Sequence, residues 1–174
     1  VSKVVVVGSP IVGSSLAIPL KLAGYRPIAF MLFNMMGTFR FAMKVASPII
    51  CRDERFAAMM DRDLSRTTVE SFLLSIASLR RTDLRPMLDQ IKVPAMGMFG
   101  DRDKVVHPKQ WQPMQKGIPQ AQIERFPTAG HFLMLEEPKD FGERLKAFLD
   151  QDSGSPVHQA QSSPIPVPSV TLAP

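Results

Sequence analysis

The sequence predicts an α/β fold with a parallel sheet of about three strands, flanking helices and a helical insertion, and three observations carry that prediction. Val4 to Val7 is a run of four valines stopped at Gly8. Val93 to Phe99 is a second apolar run, entered through Pro94 and stopped at Gly100, and Ala121 to Phe126 is a third short strand pattern. Continuous apolar runs bounded by Gly or Pro mark strands buried on both faces of a parallel sheet. The segments between them are long enough for the crossovers that parallel strands require. The second and third strands should then lie side by side, with their exit loops at one end.

The elements follow in chain order. The valine run reads as a central strand that needs a neighbour on each side. Only later neighbours occur in this sequence, which leaves one edge open and adhesive. Ser14 and Ser15 fit a helix start. From Leu16 to Arg85 the pattern is helical. Pro27 opens a helix over Ile28 to Met36 that Gly37 stops, and a second runs from Phe39 to Ala46 until Ser47-Pro48. Asp53 caps a short helix through Met60. Thr67 and Glu70 form a capping box, after which Val69, Phe72, Leu73, Ile76 and Leu79 share one face. Pro108 suits the first residue of the crossover helix between the second and third strands. Pro138 opens a final helix whose Phe141, Leu145, Phe148 and Leu149 form the stripe packed on the sheet. Residues 151–174, rich in Ser, Pro and Gln and lacking a core pattern, read as a disordered or extended tail. The expected organisation is therefore one domain over 1–150, with a helical region at 16–85, and a tail. No internal repeat is visible.

A chain of 174 residues, 45% apolar, can bury one sizeable core. Its net charge of +5 would permit nucleic-acid binding. Yet Arg80, Arg81, Arg85 and Lys92 alternate with Asp83 and Asp89, and Arg52 to Arg66 with Asp53, Glu54, Asp61 and Asp63, so these are solvated helix faces and no nucleic-acid partner is expected. Cys51 is the single cysteine, which excludes an internal disulfide and suits a reducing compartment. No secretory signal precedes the first strand. The longest apolar stretch, Pro27 to Phe39, is bounded by Arg26 and Arg40 and broken by Gly37, too short for a membrane span. A soluble cytoplasmic protein is expected, with no membrane partner. Three scattered histidines with no H-x-x-x-H or C-x-x-C spacing give no metal site, and no cofactor is expected.

Chemistry concentrates in two loops. Gly100-Asp101-Arg102-Asp103 follows the second strand, and Pro127-Thr128-Ala129-Gly130-His131 follows the third. Ligands of open α/β sheets sit outside the carboxyl ends of the strands, so Asp103 and His131 can meet there as a carboxylate beside an imidazole. Asp101 is the rival acid, but directly after Gly100 it suits a turn cap. His107 reads as an exposed loop residue, and His158 lies in the tail.

These residues resemble a known family. G-D-R-D-K-V-V followed by A-G-H-F is similar to the last two active-site loops of the α/β-hydrolase superfamily, whose acid precedes its histidine in the chain. The resemblance spans about Val1 to Asp150. It implies a partial α/β-hydrolase fold, with the valine strand as the sixth strand, Asp103 as the triad acid and His131 as the general base. The same resemblance makes the 16–85 region the cap over the active site. Phe30, Met31, Phe33, Met35, Met36 and Phe39 would then line a pocket for a small apolar substrate, although the same residue types equally fill ordinary cores. The family's nucleophile motif, G-x-S-x-G, does not occur here. Gly13-Ser14-Ser15-Leu16-Ala17 is a relaxed version, separated from the valine strand by Ser9 to Val12, whereas a nucleophile elbow leaves its strand directly. The alternative acid position after the sixth strand is Ser9, which leaves Asp103. The resemblance therefore implies a hydrolase fragment acting on an ester or related bond, inactive alone, its missing nucleophile a serine, or an aspartate as in the dehalogenase and epoxide hydrolase branches. A non-catalytic remnant, binding an apolar ligand or a partner chain through the open strand edge, is the alternative.

Overall fold

The computed structural model describes residues 1–23, 25, 27, 28 and 36–151. In chain order the elements are β1 (Val4–Val7), α1 (Ile18–Ala23), α2 (Met36–Ile50), α3 (Arg55–Arg66), α4 (Val69–Arg81), β2 (Ala95–Gly100), α5 (Trp111–Gly117), β3 (Gln122–Phe126), α6 (Leu133–Glu136) and α7 (Pro138–Asp150), with short 3-10 turns at Gly13–Ser15, Arg85–Gln90 and Pro108–Gln110. Of the tail expected at 151–174, residues 152–174 lie outside the described residues.

The strands form one parallel sheet in the order β1-β2-β3. β2 is buried along its whole length. Alternate side chains of a strand point to opposite faces, so an all-apolar β2 feeds two cores. Ala95 and Phe99, with Val4 and Val6, pack against Met114 and Ile118 on one face. Met96 and Met98, with Val5 and Val7, pack against Leu133 and Phe148 on the other. Phe126 and Phe148 are 0% and 1% exposed, and burying each contributes roughly 1.5–3 kcal/mol. β1 occupies a sheet edge, and its four valines are only half-buried. The β2–β3 register runs from Met96 beside Gln122 to Gly100 beside Phe126, so both strands end level and their loops leave at the same end.

Several local expectations are corrected. Gly37 lies inside α2 and stops nothing, and Pro48 also lies within that helix. Pro48 lacks the N–H that would bond the carbonyl of Lys44. The Ser47 hydroxyl donates to that carbonyl instead, at 2.7 Å, and so the helix continues to Ile50. Ser47→Ala should therefore cost about 1 kcal/mol of stability, read as a lowered urea midpoint at unchanged slope. α3 runs past Met60 to Arg66, and Asp53 accepts from the N–H of Arg55 at its start. The cap of α4 is Thr68, whose hydroxyl accepts from the Ser71 N–H, while Thr67 bonds back to Asp63. On α4, Leu73 and Ile76 are buried but Leu79 is 38% exposed, and on α7 Leu149 is 52% exposed. The stripe pattern placed both a fraction of a turn too far inward. The crossover opens at Pro108 as a 3-10 turn before α5 begins.

Candidate active site

The two loops are brought together by glycine. An alanine Cβ at Gly100 would lie 2.1 Å from the carbonyl oxygen of Gly130 and 2.6 Å from that of Ala129. Without a side chain there, the loop after β3 crosses directly against the end of β2. Backbone bonds fix the crossing: the N–H of Asp101 donates to Phe126 and that of Arg102 to Ala129.

Asp103 and His131 meet at the crossing. Oδ2 of Asp103 lies 2.8 Å from Nδ1 of His131. Oδ1 accepts from the backbone N–H groups of Val105 and Val106, at 2.7 and 2.9 Å. The Asp103 side chain is 4% exposed and that of His131 23%. A carboxylate that only accepts places the ring proton on Nδ1 and leaves Nε2 with its lone pair free. The arrangement can thus take a proton at Nε2 and stabilise the resulting imidazolium.

The imidazole is held on its other sides. Gly8, at φ +54, closes on the ring: a Cβ there would approach His131 Nδ1 and Cε1 at 3.4 and 3.5 Å. The Phe132 ring meets the imidazole edge-on at 5.0 Å and packs at 4.5 Å on Phe56 of α3. Arg52, just past α2, pairs with Glu136 at 3.3 Å. The helical region between β1 and β2 therefore touches the histidine loop directly. Cys51 is buried beside this contact, where desolvation first, and then the Glu136 and Asp53 carboxylates, push its thiol above the ordinary 9.0. A thiol whose pKa is raised on folding loses stability for the fold as pH rises past its unfolded value. We expect Cys51 to react slowly with thiol reagents at neutral pH, and stability to decline above pH 9.0 in wild type but less in Cys51→Ala, as read by denaturation across pH.

The other singled-out residues lie elsewhere. Asp101 does not cap the turn; it makes a two-bond pair with Arg125 of β3, at 3.0 and 2.8 Å. His107 is exposed, and its Nδ1 accepts from the Lys109 N–H. Ser15 sits in the 3-10 turn with a buried hydroxyl that has no hydrogen-bond partner among the described residues, so it is not paired with the imidazole. Phe30, Met31, Phe33 and Met35 lie outside the described residues; Met36 and Phe39 fall within α2. Among the described residues no group of three His, Cys, Asp or Glu side chains is placed to hold a metal, and no helix is long and apolar enough to cross a membrane. Gly8, Gly100 and the amides of Val105 and Val106 shape the site yet drew attention in the sequence only as strand stops or loop residues.

A parallel α/β sheet with an acid and an imidazole paired beyond its carboxyl ends defines the α/β-hydrolase class of site. The chain belongs to that family: the family model for the alpha/beta hydrolase fold matches residues 37–138, more than half of its length. It is 30% identical over 160 residues to the 2-hydroxy-6-oxononadienedioate/2-hydroxy-6-oxononatrienedioate hydrolase of Cupriavidus pinatubonensis, covering 86% of this chain and 54% of that protein. Lipase 3 of Moraxella sp. is 33% identical over 64 residues, 37% of this chain and 20% of the lipase. Among solved structures, the esterase EaEST of Exiguobacterium antarcticum superposes with a TM-score of 0.68 at 22% identity, over 86% of this chain and 57% of its own. The chain thus spans about half the length, or less, of these relatives.

Proposed function

We propose that this chain carries the acid and the base of a nucleophile–histidine–aspartate hydrolase, and that the nucleophile comes from sequence outside these 174 residues. The observation behind the proposal is the 2.8 Å contact between Asp103 and His131, with Nδ1 committed to the carboxylate and Nε2 unpaired among the described residues. His131 would take the proton of a serine hydroxyl, or of water where an aspartate is the nucleophile, and return it to the leaving group. The substrate is proposed to be an ester, or a related bond in a small apolar molecule, in line with the lipases and esterases this chain resembles. Phe30, Met31, Phe33, Met35, Met36 and Phe39 are its proposed apolar wall, on a cap formed by the helical region. Standing alone, the chain is expected to be inactive, because nucleophile and oxyanion donors together supply most of the rate.

The half-buried valines of β1 favour a second reading. A parallel strand with one unpaired edge is a template for another strand. The chain would then be a non-catalytic remnant that binds an apolar ligand or a partner chain there. One comparison separates the two: the chain as given, beside the chain joined to its upstream coding sequence, each assayed with a short-chain p-nitrophenyl ester. Activity in the longer form alone, lost in His131→Ala, supports the hydrolase. A folded longer form that hydrolyses neither this ester nor a longer-chain one counts against ester hydrolysis and favours binding.

A further inference from the structure

The segment after β1 and the loop after β2 build a second feature next to Asp103. The N–H of Ala17 donates to Val105 at 2.9 Å, the N–H of His107 donates to Ser15 at 2.9 Å, and Leu16 bridges Val106 in antiparallel fashion. These bonds clamp two loops into a short ribbon. Between them lies a cleft of about 310 Å³ that His131 does not line.

Its lining divides by chemistry. Leu16 and Val106 are 4% and 3% exposed and give an apolar floor, while Ile18, 70% exposed, stands at the rim. Lys21 and Lys104 also line the cleft. Among the described residues neither lysine has an ionic or side-chain hydrogen-bond partner. One carboxylate, Asp103, also lines the cleft and is already engaged by other donors. Its Oδ1 is held by two amides and its Oδ2 by the imidazole. The cleft therefore combines a preformed apolar floor with two lysines against a single carboxylate, a net positive lining, at the small end of the size range of ligand sites.

We infer that this cleft binds a small amphiphilic carboxylate, its hydrocarbon part on Leu16 and Val106 and its anionic end between Lys21 and Lys104. The apolar floor selects against a bare inorganic anion, and the lysines select against a neutral alcohol of the same length. Because the amides that hold Asp103 Oδ1 belong to Val105 and Val106, the ligand would rest on the same loop that holds the acid. The site does not depend on the hydrolase reading, since binding is measured directly on the chain.

The test is titration of the full chain, labelled with nitrogen-15, with sodium hexanoate, hexanol and inorganic phosphate, followed by amide shifts. Saturable shifts confined to Leu16–Lys21 and Asp103–Pro108, for hexanoate and not for hexanol or phosphate at equal concentration, are expected. Lys21→Gln and Lys104→Gln should each weaken binding about tenfold, the scale of one charge-assisted hydrogen bond. Lys92→Gln, which removes the same charge from an exposed site outside the cleft, should leave binding unchanged. Shifts scattered over the basic surface, equal binding of phosphate or hexanol, or equal weakening by Lys92→Gln would overturn the assignment.

Discussion

Asp103→Asn, in a polypeptide that carries the nucleophile, should lower turnover by about 10⁴-fold while leaving the fold and its melting temperature nearly unchanged. The size of the effect follows from the two acceptor oxygens. The amides of Val105 and Val106 both donate to Oδ1, so in an asparagine the carbonyl oxygen must take that position. The NH₂ group is then turned toward Nδ1 of His131, 2.8 Å away in the native pair. A donor there obliges Nδ1 to accept, which moves the ring proton to Nε2 and removes the lone pair proposed as the base. The side chain keeps its shape and its hydrogen-bond count, so stability is spared while the tautomer is inverted. Asp101→Asn supplies the contrast. Its carboxylate pairs with Arg125 on the neighbouring strand and has no contact with the imidazole, so turnover should fall only a few-fold at most, through the loss of one partly exposed ion pair. Equal losses in the two variants, measured as kcat at saturating ester, would remove Asp103 from the role of acid.

Much of this arrangement was legible in the chain, for a definite reason. A strand that ends at glycine and is followed within three residues by an acid, as at Gly100 and Asp103, carries its signal locally, and so does the short path from Phe126 to His131. Parallel pairing then brings the two loops to one end by topology alone. What was not legible depends on partners distant in sequence or on close local competition. Pro48 reads as a helix stop until Ser47 is seen to satisfy the stranded Lys44 carbonyl. Thr67 and Thr68 are neighbouring hydroxyls either of which can cap, and the choice turns on which one bonds back to Asp63. The valine run of β1 predicts two covered sides, and the fold gives it one pairing partner. Its half-burial reflects a local preference that no second strand satisfies among the described residues.

Gly100→Ala should damage both stability and turnover while leaving every titratable group in place. The added Cβ would stand 2.1 Å from the Gly130 oxygen and 2.6 Å from the Ala129 oxygen. Both are backbone atoms, so no side chain can turn aside, and one of the two loops has to move as a unit. Moving the histidine loop breaks the Arg102 N–H bond to Ala129 and draws His131 away from Asp103; moving β2 disturbs a strand buried along its whole length. Forced displacement of packed backbone costs about 3 kcal/mol, the upper end for overpacking. A shift near 1 Å in the base adds about a 10²-fold loss of turnover in whatever fraction remains folded. Gly142→Ala is the matched control, because its added Cβ meets nothing within 4 Å and it lies in α7, where alanine gains roughly 0.5–1 kcal/mol over glycine. The two alanines should therefore move the denaturation midpoint in opposite directions. If Gly100→Ala folded with wild-type stability and kept the low-field proton signal of a His131 Nδ1–H bound to carboxylate, the close crossing of the two loops would not be what holds acid and base together.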